Sequence, residues 1–574
     1  MAARRPPGSF WRKALARLAV GASVPGVASC FRQAKKSSRS CSAQLPDRLT
    51  STMGLLSGLL EQASVHLEGQ NIWVLGPSLF GAVLLLSVVV NVLGQLLFAD
   101  PNQPPVVFHW FPFIGSTVSY GMEPYEFFNK CQKQYGDVFT FVLLGRRMTV
   151  TLGPKGNEFV FNGKHADLCA EEAYTHLTTP VFGEGVVYDC PNHMLMEQKK
   201  FMKFGLTTET FKQYVPLIKD EILSFFANSP YFKGDAGRVP LSTAVPQLVL
   251  FTASRSLQGK QVRQALTTTH AALFHDLDMG FTPVNFMFPW LPLPHNAKRD
   301  KAQRAMAKLY MDIIAKRKAG EEKEQEIDMI WNLMNRNYKD GRPLSDRDIA
   351  HCMIALLMAG QHTSMATTTW TLLHLAAKPE IQQALYDEQV RVFGKDLAPL
   401  SYEKLSELSL VNNTIKEILR IHPPLHSLIR KVKSPLHVPN TDYVIPSSHF
   451  VMAAPGVSAM DEQYFKNAKD FDPFRWIGHE KDEDNAEKFD FGFGLVSKGT
   501  ASPYLPFGAG RHRCIGEQFA NVQLGTIIST FIREFEFSLP PGQKEVPPVD
   551  YNSMVALATA PAMVHWKRRQ HSSH

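Results

Sequence analysis

The fold is decided by one stretch near the C-terminus: Phe507-Gly508-Ala509-Gly510-Arg511-His512-Arg513-Cys514-Ile515-Gly516. Its three glycines let the backbone turn tightly and come close to a large, flat group. Cys514 lies between them, just before a predicted helix whose N–H groups and dipole stabilise a thiolate. The cationic or potentially cationic side chains before it suit an anionic ligand. A plain buried cysteine in a glycine turn is the alternative, but it leaves the Arg-His-Arg triplet unexplained.

This stretch matches the haem-binding loop of the cytochrome P450 family, F-x-x-G-x-[RH]-x-C-x-G. The resemblance implies that Cys514 is the axial thiolate ligand of a haem b iron. It also implies that Phe507, Gly508 and Gly510 shape the loop around the cofactor.

Two further motifs of the family precede this loop in the expected order. Glu417-Ile418-Leu419-Arg420 is an E-x-x-R pair, which by itself is more often a surface ion pair one helical turn apart. Phe471-Asp472-Pro473-Phe474-Arg475-Trp476 resembles F-x-P-x-R-[FW]. The resemblance implies a buried structural triad of Glu417, Arg420 and Arg475.

A fourth motif, Ala359-Gly360-Gln361-His362-Thr363-Ser364, falls in a long predicted helix. It resembles the oxygen-activation motif, in which Gly360 leaves room for dioxygen and Thr363 donates to its distal oxygen. A helical histidine is usually an ordinary core residue, but most family members carry an acid at this position. His362 resembles the sterol 14α-demethylase subgroup instead, and imidazole titrates near neutrality and can pass protons.

More of the chain, roughly residues 70–568, resembles that subgroup, and the segment from Asp490–Gly494 through Ser502–Pro506 resembles the longer form of fungal members. The resemblance implies that phenols and cations hold the two haem propionates: Tyr174, Tyr188, Lys199, Arg430 and His512. It also implies a substrate pocket lined by Tyr174, Phe182, Tyr188, Phe281, Phe286, Leu425, Ser427 and Met554. Without the resemblance, the simpler interpretation is that each apolar side chain of this set is a core residue.

The activity implied is removal of the 14α-methyl group of lanosterol or eburicol in sterol biosynthesis of the ergosterol type. Three successive oxidations would release formate and leave a Δ14 double bond, each using O2 and two electrons from NADPH. The sequence has no flavin or nicotinamide fingerprint, so a separate NADPH-cytochrome P450 reductase is expected. Lys199, Lys200 and Lys203 form either a docking face for this reductase or an ordinary solvated surface. Azole inhibitors are expected from the resemblance. The alternatives are a monooxygenase of another sterol, fatty acid or foreign compound, and a non-catalytic haem-binding protein.

Composition excludes several other classes of protein. The chain has 574 residues, 44% of them hydrophobic, and seven scattered cysteines without a CxxC pair, which argues against a disulfide framework or structural zinc. The net charge is +8, but residues 1–52 hold ten basic groups and one acid, so the rest of the chain is nearly neutral. A nucleic-acid partner is therefore not expected.

Residues 72–98 contain no charged side chain. As a helix they would reach about 40 Å, more than the roughly 30 Å hydrocarbon core of a bilayer. They predict a single transmembrane anchor, followed by a stiff exit at Pro101, Pro104 and Pro105.

Residues 1–52 are an uncertain extension with three interpretations. They are rich in arginine and serine, as targeting segments are, and ten basic groups on the far side would violate the positive-inside rule. Translation from Met53 removes that conflict, and a disordered arm is the third possibility. The expected layout is a short non-cytosolic segment, 53–71, then the anchor, 72–98, and a cytosolic catalytic domain, 99–574, on the endoplasmic reticulum membrane.

Periodicity predicts a mainly α fold with smaller β-sheets, which agrees with the cytochrome P450 fold. A hairpin is expected at Asp137–Leu144 and Arg147–Leu152, and helices from about Pro191 to Leu425. Ser345-x-x-Asp348 predicts a capping box that opens the long helix carrying His362. A helix from Gly516 to about Glu534 and a strand-rich tail follow. The acidic run at residues 321–326 is expected to be a solvated face.

Overall fold

The computed structural model describes residues 72–266, 268–321, 328–477 and 499–570. The expectations for residues 1–52 and 53–71, for the acidic run after Glu321, and for the segment at 490–494 lie outside the described residues. The chain is divided at Leu85 into two units, Met1–Leu85 and Leu86–His574, and the fold below is that of the second unit apart from the first half of helix α1.

The described helices, in chain order, are α1 (Ile72–Leu97), α2 (Thr117–Met122), α3 (Pro124–Tyr135), α4 (Gly153–Phe161), α5 (Glu171–Phe182), α6 (Asn192–Lys203), α7 (Thr208–Asn228), α8 (Leu241–Ala253), α9 (Lys260–Ala265), α10 (Thr268–Asp278), α11 (Pro283–Met287), α12 (Pro294–Lys318), α13 (Met329–Met334), α14 (Asp346–Ala377), α15 (Pro379–Phe393), α16 (Tyr402–Glu407), α17 (Ser409–Ile421), α18 (Pro455–Ala459) and α19 (Glu517–Glu534).

The described strands are β1 (Val138–Leu143), β2 (Arg146–Thr151), β3 (Leu168–Cys169), β4 (Ala236–Pro240), β5 (Leu428–Val432), β6 (Leu436–His437), β7 (Val444–Ile445), β8 (Phe450–Ala453), β9 (Phe535–Ser538), β10 (Val549–Asp550), β11 (Leu557–Ala558) and β12 (Met563–Arg568). The largest sheet has the order β1-β2-β8-β5-β3, and a three-stranded sheet has the order β4-β12-β9. The prediction of a helix-dominated fold with small sheets is confirmed.

The predicted hairpin is strands β1 and β2, paired from Val138 with Thr151 to Leu143 with Arg146. Leu144 and Gly145 turn the chain with φ of 45° and 81°. Two successive positive φ values match the right-handed twist of the flanking strands. In the same sheet β2 runs parallel to β8, and β8 pairs with β5, which carries Arg430.

Helix α14 is the long central helix, and most of its side chains are buried. It begins at the predicted capping box, in which the Ser345 hydroxyl accepts from the Asp348 N–H at 3.0 Å. Two orphan N–H groups at the helix start are satisfied in this way, which fixes where the helix begins. The motif at residues 359–364 therefore lies near its middle.

Within the described residues, the segment Gly76–Leu97 of α1 is the one helix long and apolar enough to cross a membrane. In its last two turns, the amide of Asn91 donates to the carbonyl oxygens of His109 and Trp110 at 2.9 and 3.0 Å. The side chain of Gln95 accepts from the His109 N–H at 3.1 Å and donates to its carbonyl at 2.8 Å. These bonds fix the direction in which the chain leaves the helix.

Candidate active site

The glycine-rich loop folds back on itself directly before Cys514. The Cys514 N–H donates to the Phe507 carbonyl at 3.0 Å, which closes the loop into a tight turn. Gly508 and Gly510 both have a φ of +65°, a region that favours glycine. A Cβ atom on Gly510 would lie 2.2 Å from the Phe161 carbonyl oxygen, so no side chain fits there. The loop therefore needs glycine at both positions.

Cys514 differs from the other described cysteines, which are all buried, because its side chain is accessible. Protein surrounds it on most sides nonetheless, so desolvation raises the pKa of its thiol, although a hydrogen bond from the Gly516 N–H lowers it. The sequence led us to expect that backbone N–H groups stabilise the thiolate. They do contribute, but burial outweighs them, and a metal ion bonded to the sulfur would supply the missing charge compensation.

A cluster of cations lies beside this loop. Arg430 is only 5% exposed, and its Nη1 donates to the Ile429 carbonyl at 2.8 Å. Among the described residues no carboxylate forms an ion pair with it. His512 stays neutral near pH 7, because burial first, and then the charge of Arg430, lowers its pKa to about 3.

Lys199 completes the cluster from helix α6. Its Nζ donates to the carbonyl oxygens of Arg511 and Arg513, both at 3.0 Å. It therefore supports the cysteine loop and does not belong to the surface face that the sequence suggested for Lys199, Lys200 and Lys203. Lys200 and Lys203 are exposed.

Two phenols line the same region. The rings of Tyr174 and Tyr188 stack with centroids 5.4 Å apart, and Tyr188 lies 6.1 Å from the ring of His512. The hydroxyl of Tyr174 accepts from the Ile429 N–H at 2.9 Å and has a proton left to donate. Burial raises the pKa of Tyr188 to about 12, so it remains a neutral donor at physiological pH.

These groups fit the two carboxylates of a haem. A buried guanidinium without a counter-ion is unfavourable unless an anion joins it. Arg430, Lys199 and the two phenols offer the donors that carboxylates prefer, and the accessible thiol supplies an axial ligand. The donor set of this chain therefore matches haem chemistry.

The middle of helix α14 contains an accessible stretch. Ala359 is exposed, and Gly360 and Thr363 are half-buried, although most of the helix is buried. The Thr363 hydroxyl donates to the Ala359 carbonyl at 2.8 Å. A small reactant can therefore reach the helix at the motif that the sequence singled out.

Glu417, Arg420 and Arg475 form a closed network. Arg420 donates to both carboxylate oxygens of Glu417 at 2.8 and 2.9 Å, and Arg475 donates to one of them at 2.8 Å. Trp476 donates its indole N–H to the other oxygen at 3.0 Å. Glu417 and Arg420 are fully buried, and the remaining donors of Arg420 reach backbone carbonyls such as those of Ala459 and Ala468.

The predicted pocket residues fall into two groups. Phe182 and Phe281 contact each other, with ring centroids 5.5 Å apart. The second group is Tyr174, Phe286 and Met554, and Phe281 packs with these three side chains in one apolar cluster. Leu425 is 40% exposed, and the Ser427 hydroxyl lies 3.5 Å from that of Tyr120. The structure therefore joins five of these side chains through Phe281. Ser427 reaches the same cluster through Tyr120, whereas Leu425 is exposed outside it.

Comparisons with known proteins identify the family. Residues 104–566 match the family model described as Cytochrome P450. The chain is 55% identical over 86% of its length to a sterol 14-alpha demethylase CYP51A of Gibberella zeae, 95% of which is covered. The chain belongs to the sterol 14α-demethylase branch of the cytochrome P450 family.

Other relatives of this cytochrome P450 carry more specific names. It is 52% identical over 90% of its length to an eburicol 14-alpha-demethylase of Uncinula necator, 99% of which is covered. It is 53% identical over 86% of its length to lanosterol 14-alpha demethylase erg11 of Schizosaccharomyces pombe, 99% of which is covered. A solved retinoic acid bound cyanobacterial CYP120A1 shares the fold, with a TM-score of 0.67 at 19% identity, over 82% of this chain and 100% of that one.

The sequence did not reveal that His362 of this cytochrome P450 has an acidic partner. Its Nε2 lies 2.7 Å from a carboxylate oxygen of Asp278, and its Nδ1 lies 3.0 Å from the Met358 carbonyl. Burial lowers the pKa of His362, but the hydrogen bond and charge of Asp278, with the Met358 carbonyl, outweigh it and raise the pKa above its ordinary value. Asp278 ends helix α10, and nothing local in the sequence links it to His362.

A second missed feature connects the two helices of the site. Ser364, next to Thr363, donates to the amide oxygen of Gln523 at 3.0 Å, and the Gln523 amide donates to Thr252 at 3.0 Å. All three side chains are buried. This bridge ties the accessible stretch of α14 to α19, which begins just after Cys514, and so fixes their spacing.

Proposed function

We propose that this chain is a haem-thiolate monooxygenase that removes the 14α-methyl group of lanosterol or eburicol. Three oxidations, each consuming O2 and NADPH, release formate and leave a Δ14 double bond in sterol biosynthesis of the ergosterol type. The observation that carries the proposal is the identity of 51–55% to sterol, lanosterol and eburicol 14α-demethylases over most of the chain.

Haem bound through Cys514 supplies the activation of dioxygen and the oxidation of the methyl group. Arg430, Lys199 and the Tyr174 and Tyr188 hydroxyls would hold its carboxylates, and His512 would lie against them. Phe507, Gly508 and Gly510 would let the backbone approach the macrocycle.

Proton delivery falls to the middle of helix α14. The Thr363 hydroxyl holds its proton on the Ala359 carbonyl, beside the accessible position of Gly360. His362, whose protonated form Asp278 favours by raising its pKa, is the donor that connects this stretch with the end of helix α10. The ion pair is partly open to solvent, because the Asp278 side chain is 37% exposed. A proton that His362 passes towards Thr363 can therefore be replaced from water.

The apolar cluster around Phe281 orients the sterol and excludes water. Phe182, Phe286 and Met554 supply apolar surface, and the ring pair of Tyr174 and Tyr188 lies at its haem side. Ser427 would offer a polar contact to the substrate, and Leu425 would line an entrance. An azole drug would enter the same cavity and bind the iron through its nitrogen.

Electrons would come from a separate NADPH-cytochrome P450 reductase. Lys200 and Lys203 are exposed on helix α6, whose neighbour Lys199 touches the cysteine loop. Surface cations raise the association rate of an acidic partner. These two lysines are therefore our candidates for part of the docking face.

The apolar helix α1 supports a single-pass membrane anchor. We further propose that the membrane is that of the endoplasmic reticulum and that the catalytic domain is cytosolic. In this layout residues 53–71 precede the anchor on the far side, residues 72–98 cross, and residues 99–574 form the catalytic domain. Residues 1–52 would be a targeting segment, an untranslated stretch before Met53 or a disordered arm.

The decisive experiment reconstitutes the full chain in lipid with a reductase and NADPH. Lanosterol and eburicol, each labelled with carbon-14 at the 14α-methyl group, should yield labelled formate and a Δ14 sterol. A reaction without NADPH is the control. Oxidation of fatty acids or foreign compounds with no formate from either sterol would support a different monooxygenase. A normal carbon monoxide spectrum without any turnover would support a haem-binding protein.

A further inference from the structure

Three potential metal ligands lie together close to the start of helix α5. They are His165, in the loop after α4, Cys169, in strand β3, and Glu171, the first residue of α5. One ligand atom from each lies within 4.8 Å of the others. Three ligands within seven residues form a compact chelate, and the proposed sterol chemistry uses none of them.

One carboxylate oxygen of Glu171 is the centre of this cluster. Its Oε2 accepts from the thiol of Cys169 at 3.2 Å and lies 3.8 Å from Nδ1 of His165. Its other oxygen is held by the Asn192 amide at 2.6 Å, which fixes the orientation of the carboxylate. Cys169 and Glu171 are buried, so water does not compete freely for them.

His165 supplies a second, independent observation. Its Nδ1 atom is buried and has no hydrogen-bond partner. Such an unpaired ring nitrogen is unfavourable in a folded protein unless a ligand binds it. Nδ1 lies within 4.8 Å of the Cys169 and Glu171 ligand atoms, which is close enough for one ion to join all three.

We propose that His165, Cys169 and Glu171 bind one Zn²⁺ ion, through Nδ1, Sγ and Oε2, with a fourth position open to water. Mixed nitrogen, sulfur and oxygen ligands are the set that zinc prefers, at bonds of about 2.0–2.3 Å. A tetrahedron with such bonds separates its ligand atoms by roughly 3.3–3.7 Å. The Sγ–Oε2 and Nδ1–Oε2 distances of 3.2 and 3.8 Å lie close to this range, and the third separation, between Sγ and Nδ1, is within 4.8 Å.

Binding displaces one proton. The Cys169 thiol proton, now donated to Glu171, leaves to solvent as the Zn–S bond forms. Thiolate and carboxylate then balance the charge of the ion. Among the cationic neighbours, Lys433 is already paired with Glu172 at 3.5 Å.

The site connects two parts of the catalytic centre. Glu171 begins the helix that carries Tyr174, and the Thr175 hydroxyl donates to the Glu171 carbonyl at 2.5 Å. The loop before His165 is tied to the cysteine loop, because Arg511 donates to the Gly163 carbonyl at 2.6 Å. Bound zinc would stiffen both, so it should raise the thermal unfolding midpoint of the holoenzyme.

The test is equilibrium dialysis of tag-free, full-length holoenzyme against Zn²⁺, with calorimetry in buffers of different ionisation enthalpy. We expect one zinc ion per chain and release of about one proton. Cys169→Ser and His165→Asn should each weaken binding at least about tenfold, since second-shell changes alone cost 10–100-fold. Cys131→Ser, which alters a buried thiol away from this cluster, should bind zinc as the wild type does.

The carbon monoxide difference spectrum of each variant shows whether it folds around haem. If Cys169→Ser does not, His165→Asn carries the test. Equal zinc binding by the wild type and either folded variant would overturn the proposal, as would the absence of stoichiometric binding by the wild type.

Discussion

Two buried clusters of charge in this molecule differ in how their charges are matched. Around Glu417, every carboxylate oxygen has donors within the chain, from Arg420, Arg475 and Trp476. Around Arg430, a buried guanidinium donates to a backbone carbonyl, and no carboxylate of the described residues forms an ion pair with it. The first cluster is complete, and the second needs an anion.

The comparison distinguishes a network that supports the fold from a cluster that binds a ligand. A closed network holds its own geometry, and removing one member leaves an uncompensated buried charge. An open cluster of one sign is stable only with its ligand, so it marks where the haem carboxylates belong. Substitutions in the two clusters should therefore fail in different ways.

The largest effect is expected from Glu417→Gln. It leaves two arginines facing a neutral amide, and breaking a buried pair costs about 3–5 kcal/mol. Thermal unfolding of the holoprotein should show this loss. The exposed pair of Lys308 and Asp312, 2.7 Å apart, gives the control, because Asp312→Asn should cost less than about 1 kcal/mol. Similar losses for both variants would mean that the network is not a support.

Thr363→Ala should come next, with turnover reduced on the order of 10²-fold and NADPH use diverted from product. Thr367→Ala is the matched control, because its hydroxyl donates to the carbonyl one turn before it in the same way, at 2.9 Å, but is buried. Formate released per NADPH consumed measures the difference. Unchanged coupling in Thr363→Ala would contradict the proton role.

Arg430→Met should fold but hold haem poorly. Loss of a charged hydrogen bond worth about 1.5–3 kcal/mol predicts roughly 10- to 100-fold weaker binding. Transfer of haem to excess apomyoglobin measures this. Lys431→Met, the next residue on the same strand, should keep its haem, since Lys431 donates to the carbonyls of Ser447 and His449. Equal haem loss in both variants would show that the open cluster does not hold the cofactor.

A smaller effect concerns pH. The pKa of His362 is raised by Asp278 beyond the lowering that burial causes, so the protonated form persists to higher pH. The ion pair is present below the ordinary histidine pKa and is lost as pH rises through the raised one. Asp278→Asn should move the alkaline limb of the turnover profile to lower pH. Asp276→Asn, on the same helix, should leave it in place, and an unmoved limb in Asp278→Asn would contradict the relay.

The smallest effect should appear beside the closed network. His374 and His422 are in contact at 2.9 Å, and burial lowers the pKa of His374 to about 4. Both are neutral in the fold, so their stability contribution is present above the ordinary pKa of about 6.5 and is lost as pH falls toward 4. Between pH 7 and pH 5.5, the free energy of unfolding of the wild type should fall by roughly 1 kcal/mol more than that of His374→Gln does. Equal pH dependence would place the titration elsewhere.

What the sequence predicted correctly was mostly local. The capping box at Ser345, the hairpin around Gly145 and the Glu417–Arg420 pair depend on fixed spacings within one turn of chain, so short motifs are enough. Resemblance to a family supplied the set around Arg430, whose members lie far apart in the sequence.

The features that the sequence missed depend on how distant elements pack. His362 meets Asp278 because helices α14 and α10 pack together, and Ser364 meets Gln523 through α19. Lys199 was expected both to hold a haem propionate and to join a surface face with Lys200 and Lys203, and helix α6 places it against the cysteine loop. No spacing rule gives these contacts without the tertiary fold.

The most direct test is the carbon monoxide difference spectrum of reduced Cys514→Ala beside that of Cys190→Ala, a buried cysteine of the described residues. If the Cys514 sulfur is the iron ligand, the thiolate-type band disappears in the first variant and persists in the second. The same band in Cys514→Ala would contradict the ligand assignment and the chemistry built on it.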